Sequence, residues 1–98
     1  MKIDFEHFKL YKGIDKEAYD LFDARKVFAD AIYTKGTGIA FHALAFKIYN
    51  SNSETEYSDE EFELMVVFSE KCMSPRFIDS INALKDESKT GIQQNNPV

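Results

Sequence analysis

The stretch Ser58-Asp59-Glu60-Glu61-Phe62-Glu63-Leu64-Met65-Val66-Val67-Phe68 constrains the fold more than any other part of the chain. Ser-x-x-Glu is the spacing of a capping box, in which serine and glutamate side chains each accept from a backbone N–H that a helix start leaves unpaired. The acidic residues beside the positive helix end reinforce the start. The helix that follows, over 59–72, is apolar around most of its circumference. It therefore requires burial on several sides, within the domain or by a partner, and is the expected central helix.

Three further helices are predicted around it. Ala24, Val27, Phe28, Ala31 and Ile32 recur at intervals of three and four behind a cap at Asp23, giving a helix over 24–35 that ends at Lys35-Gly36. Thr37 is the expected cap of the next, over 38–49, where Ile39, Ala40, Ala43, Leu44 and Ile48 share a face that Phe41 and Phe46 widen. Ser74-Pro75 starts the last, over 75–86, with Phe77, Ile78, Ile81 and Leu84 in one stripe.

The N-terminal quarter alternates instead. Ile3 and Phe5 are in phase, whereas Phe8 and Leu10 are shifted by one, which a bulge near Glu6-His7 reconciles. Turn chemistry at Tyr11-Lys12-Gly13-Ile14-Asp15 and renewed alternation over Ala18–Phe22 make residues 2–22 a β-hairpin. A rival reading caps a single helix with Asp15 and runs it from Lys16 to Lys35; the hairpin is preferred because Asp23 is the better-placed cap. The link Ser51–Tyr57 is polar with nothing to bury. Residues 88–98 are polar, contain Gly91 and Pro97, and read as a disordered tail. The expected fold is thus mostly α, in the α+β class: one globular domain over 1–87, an N-terminal β-hairpin followed by a compact bundle of about four helices.

A chain of 98 residues with nine Phe and five Tyr has bulky side chains enough to close one core without metals or disulfides. Cys72 is the sole cysteine, so no internal disulfide is available and a reducing compartment is expected. Lys2-Ile3-Asp4-Phe5-Glu6 lacks the apolar core of a signal peptide, and a cytoplasmic location follows. Seventeen acidic residues against twelve basic ones give a net charge of −5, which opposes attraction to nucleic acid or an anionic membrane.

Each candidate site has a structural explanation. Asn50, Asn52, Glu54 and Glu61 match oxygen-ligand positions of an EF-hand loop, but Thr55 stands where the turn requires glycine and Glu61 serves the capping box. His42 lacks a second metal ligand one turn away, and neither its spacing from His7 nor from Cys72 predicts a site. The carboxylates Asp59-Glu60-Glu61-Glu63 fit helix-start electrostatics, and Asp20-Asp23 forms a second acidic pair. Gly36-Thr37-Gly38 resembles a phosphate cradle but lacks the lysine and preceding strand of a P-loop. The helix pair around Ser74-Pro75 suggests a helix-turn-helix reader, yet Arg76 and Lys85 are opposed by Asp79 and Asp86, while Lys9, Lys12, Lys16, Arg25 and Lys26 are interleaved with acids. No catalytic, cofactor-binding or metal-ligating residue is assigned, and no cofactor is expected.

The segments Arg25-Lys26-Val27-Phe28-Ala29-Asp30-Ala31-Ile32-Tyr33 and Gly36-Thr37-Gly38-Ile39-Ala40-Phe41-His42-Ala43-Leu44-Ala45-Phe46-Lys47-Ile48-Tyr49, with Ser58-Asp59-Glu60-Glu61 and Ser74-Pro75 after them, form a pattern over residues 2–86. It resembles small uncharacterised proteins encoded by phages, prophages and other mobile elements of gut bacteria. The resemblance implies a setting and carries no activity or catalytic residue. The expected function is a non-enzymatic interaction module, a phage or mobile-element accessory or assembly factor, contacting protein or a second copy through apolar surface left on the second or third helix. A DNA-binding regulator using the last two helices is the alternative, and an enzyme using His42 with a carboxylate or Cys72 is third.

Overall fold

The phase shift between Ile3-x-Phe5 and Phe8-x-Leu10 arises because the two pairs belong to different ladders. The computed structural model describes residues 1–94. In it β1 (Lys2–Asp4) ends at a turn in which the Asp4 carboxylate accepts from the His7 N–H at 3.0 Å. β2 (Phe8–Tyr11) then pairs antiparallel with β3 (Tyr19–Phe22), Phe8 opposite Phe22 and Tyr11 opposite Tyr19. The hairpin is therefore 8–22 rather than 2–22, and no bulge is needed. The rival single helix from Lys16 is excluded, because β3 occupies its first turns and α1 (Arg25–Lys35) begins only after it.

β1 pairs instead with β4 (Glu54–Glu56), Ile3 opposite Thr55. The link over Ser51–Tyr57, read as having nothing to bury, thus carries a strand, a buried Ser51 and a Tyr57 that is fully inaccessible. The Met1 α-amino group closes this ladder, donating to Tyr57 O and Glu56 Oε2, each at 2.7 Å.

α2 (Ile39–Tyr49) follows α1 through a three-residue turn whose glycines are required for different reasons. A Cβ on Gly36 would lie 2.6 Å from Ile32 O at the end of α1 and 3.0 Å from Phe41 Cβ, so the turn leaves no room for a side chain here. Gly38 has φ 95°, a conformation L-residues rarely adopt. It, and not Thr37, holds the N-cap position of α2. The cap of α1 is likewise Ala24 rather than Asp23; Asp23 accepts instead from the Arg25 N–H at 3.2 Å.

The capping box forms as its spacing dictates: Glu61 N donates to Ser58 Oγ at 3.1 Å and Ser58 N to Glu61 Oε1 at 2.8 Å, opening α3 (Asp59–Cys72). α4 runs Pro75–Gln94, past the expected end at 86. Helical hydrogen bonds are local, so a polar sequence can prolong a helix. The expected tail at 88–98 thus overlaps α4, and its last four residues lie outside the described ones.

The helices and ladders meet in an aromatic core. Phe28 of α1 is fully buried at its centre, with ring centroids 5.5 Å from Phe5, 4.9 Å from Phe77 and 6.2 Å from Phe68. Phe8 and Phe77 stack at 5.1 Å, which fastens the hairpin to α4, and Tyr11 N donates to Ser80 Oγ at 3.1 Å beside them. Ile32, Leu44, Ile48, Met65 and Ile81 fill the space between the rings. Truncating the shared ring removes contacts to α3, to α4 and to the turn between β1 and β2 at once. Phe28→Ala is expected to lower unfolding stability by about 3–5 kcal/mol in urea titrations; a loss below about 1 kcal/mol would show that the rings are not coupled through it.

Candidate interaction site

The close approach enforced at Gly36 sets α1 and α2 side by side and antiparallel, so each helix has an inner face on the core and an outer face toward solvent. On α2 both faces are apolar. Leu44, Ala45 and Ile48 point inward and are buried, while Ile39, His42, Phe46 and Tyr49 recur at intervals of three and four on the outside. Ile39 is 83% exposed, Phe46 47% and Tyr49 53%. From α1, Lys26, Asp30 and Tyr33 face this stripe, Tyr33 being 60% exposed. The Tyr33 ring meets Phe46 edge-on at 5.8 Å, and His42 lies 4.9 Å from Phe46. Between the helices is a depression of about 220 Å³ floored by Ala29 and Ala45. Cavities that enclose a small ligand are commonly ~300–1,000 Å³, and this depression is smaller.

The charged residues at its rim are already paired. Lys26 Nζ contacts Asp30 Oδ2 at 3.0 Å, one helical turn apart. At the end nearest Tyr49, Arg25 grips Asp23 through Nε (3.0 Å) and Nη2 (2.8 Å), and its Nη1 donates to Ser51 O (3.0 Å). The hydrogen bond from Arg25 holds the Asp23 carboxyl down at about 2, against an ordinary 3.8, outweighing an opposing effect of desolvation.

The residues singled out in the sequence are dispersed. His42 belongs to the outer stripe, whereas His7 is on the β1–β2 turn with Nδ1 3.0 Å from Asp4 Oδ2. Cys72 is half-buried at the end of α3, packed against the core. The EF-hand-like positions serve other bonds: Asn50 Nδ2 donates to Phe46 O, Glu54 lies in β4, and Glu61 accepts from Ser58 N and from Lys47 Nζ at 2.8 Å. Burial pushes the Glu61 carboxyl upward, but those two donors outweigh it and the group sits below the usual carboxylate range. Lys47 also lies over the Tyr57 ring at 4.7 Å. Asp20 is 3.4 Å from Lys12, and Asp79 of α4 is 3.9 Å from Lys16. Among the described residues no group of three or more His, Cys, Asp or Glu side chains is arranged to hold a metal ion. None of the described helices is long and apolar enough to cross a membrane.

Sequence reasoning expected surplus apolar surface on the second or third helix. α3 buries Phe62, Met65 and Phe68, half-buries Leu64 and Val66, and leaves Val67 37% exposed. The surplus is mainly on α2, and Tyr33, which no motif marked, completes it. A second depression, of about 240 Å³ between the hairpin and α4, is bordered by Lys9, Tyr11, Lys16, Tyr19 and Ser80. Its lysines are engaged, Lys16 near Asp79 and Lys9 over the Tyr19 ring at 5.3 Å. No protein family, curated protein or solved structure matches the chain.

Because Asp23 and Glu61 are held below their ordinary values when folded, their contribution to stability is complete above those values and is lost as pH falls through the folded ones. For Asp23 the window runs from 3.8 down to about 2. Asp23→Asn is therefore expected to flatten the decline of the thermal midpoint across that interval. An unchanged slope in a pH series of melts would show that the Arg25 clamp does not persist in solution.

Proposed function

We propose that this protein is a small non-enzymatic interaction module whose contact surface is the outer face of α1 and α2, and that it serves as an accessory or assembly factor of a phage or mobile element. The observation that carries the reading is the exposure of Ile39, Phe46, Tyr49 and Tyr33 in one stripe across two helices that already have a buried face. Exposed rings on a rigid scaffold, with a shallow depression between them, have the character of interface hot spots. The setting rests on the resemblance over residues 2–86; the mode of action rests on the groove.

The DNA-binding alternative receives less support. Phe77 and Ile81 of α4 are committed to the core, and Asp79 on the same helix faces Lys16. A carboxylate on the presumed reading helix weakens phosphate contact.

Hydrogen exchange on the full chain tests the reading, first in a concentration series and then with each protein encoded beside its gene added in purified form. Segments 26–35 and 39–49 are expected to gain protection in at least one of these conditions. Tyr33→Ala and Phe46→Ala should each weaken that association about tenfold or more. Tyr33→Ala should melt near wild type, its residue being 60% exposed, whereas Phe46→Ala, more than half buried against Tyr33 and His42, should also lower the melting midpoint. Protection confined to α3 and α4, or retardation of DNA at low salt unaffected by these substitutions, would refute it.

A further inference from the structure

Resting on that reading, we infer that the occupant of the α1–α2 groove is a second copy of the same chain, seated across a two-fold axis so that two helix pairs complete a four-helix bundle.

Three features of the groove favour a self-complementary partner. The first is its order along the helices. Tyr49 stands at one end beside Arg25 and Lys26, Tyr33 with His42 at the other, and Phe46 over the two alanines between them. A two-fold axis through the middle lays the Tyr49 end of one groove on the Tyr33–His42 end of its mate, ring against ring. Isologous contacts need this kind of near-palindromic patch, in which each half receives the other. Tyr and His each both donate and accept hydrogen bonds, so neither end demands a different chemistry from its counterpart.

The second feature is charge. A chain of net charge −5 repels its own copy unless the two meet at a neutral surface. The groove provides one: its ionised lining residues are Lys26 and Asp30, one of each sign and 3.0 Å apart. With α1 antiparallel to its mate in this register, Lys26 of each copy lies within one helical turn of the other copy's Asp30, close enough for its long side chain to pair across the axis.

The third is area. Tyr33, Phe46 and Tyr49 are 60%, 47% and 53% exposed. At ~150–250 Å² per aromatic residue they leave about 250–400 Å² of ring surface uncovered. A standard interface covers ~800 Å² per partner, a little over half of it apolar. The three rings with Ile39 therefore supply most of the apolar part of one side of such an interface, and two antiparallel helices per copy give the bundle geometry that closes over it.

Sedimentation equilibrium of the full chain, with circular dichroism confirming helix content in every variant, tests the inference. The wild type is expected to dimerise. Phe46→Glu, which places an unpaired charge at the centre of the contact, should raise the dissociation constant by about 100-fold or more. Lys26→Glu should weaken the dimer, and mixing Lys26→Glu chains with Asp30→Lys chains should restore association between them, a rescue that a pair acting only within one helix would not show. A monomer at the highest accessible concentration overturns the inference, as does a dimer indifferent to Phe46→Glu. If the chain is monomeric while a neighbouring gene product still protects segments 26–35 and 39–49 from exchange, the second copy is wrong and the contact surface stands. Absence of protection from any source removes both.

Discussion

The stacking of phenylalanine rings around Phe28 is the contact on which the other elements depend. Phe5 precedes the hairpin, Phe68 is on α3 and Phe77 on α4, and all three rings lie within about 6 Å of Phe28, centre to centre. A chain this short buries a smaller share of its surface than a larger domain, so a few large side chains must account for most of the apolar burial. Rings also fix orientation, because edge-to-face and tilted arrangements tolerate little rotation. The two small ladders, each only two strands wide, would be marginal alone and are held by this cluster.

The core in turn decides what remains outside. α1 must present Phe28 and Ile32 inward, and α2 must follow it at the distance that Gly36 permits. With Leu44, Ala45 and Ile48 committed to the core, helical geometry places Ile39, His42, Phe46 and Tyr49 on the far side. The outer stripe joins α1 and α2 through Tyr33 and Phe46 yet leaves much of its apolar surface exposed, and such stripes are aggregation liabilities unless covered. That tension gives the outer stripe its functional interest.

Legibility in the sequence followed the range of the interaction concerned. The α3 start was readable because a capping box is four residues long and all its partners lie within it. The four helices were readable from their periodicity, and the class, mostly α with an N-terminal hairpin, holds. The β1–β4 ladder was not readable, since Lys2–Asp4 and Glu54–Glu56 give no local sign of each other and the second segment is polar. The caps at Asp23 and Thr37 were each misplaced by one residue: side-chain propensity said nothing of the positive φ that favours Gly38, and the Asp23 carboxylate is taken up by the Arg25 N–H and guanidinium. A surplus of apolar positions was evident in the composition of the second and third helices. Tertiary packing decided that α3 keeps most of its own covered, while the stripe on α2 stays open and joins Tyr33.

The pairing of Ile3 with Thr55 has a consequence for the order of events during synthesis. β1 is made before β4, its partner strand, which follows only after both α1 and α2. Until then Ile3, Phe5 and Phe8, all buried in the finished protein, remain without a sheet or a full core to enter. Ring partners from α3 and α4 arrive later still. Closing a loop of that length before its contacts repay the lost freedom places a non-local step late in folding. The core therefore closes only once α3 and α4 have been made, and among the described elements β1 waits longest for shelter.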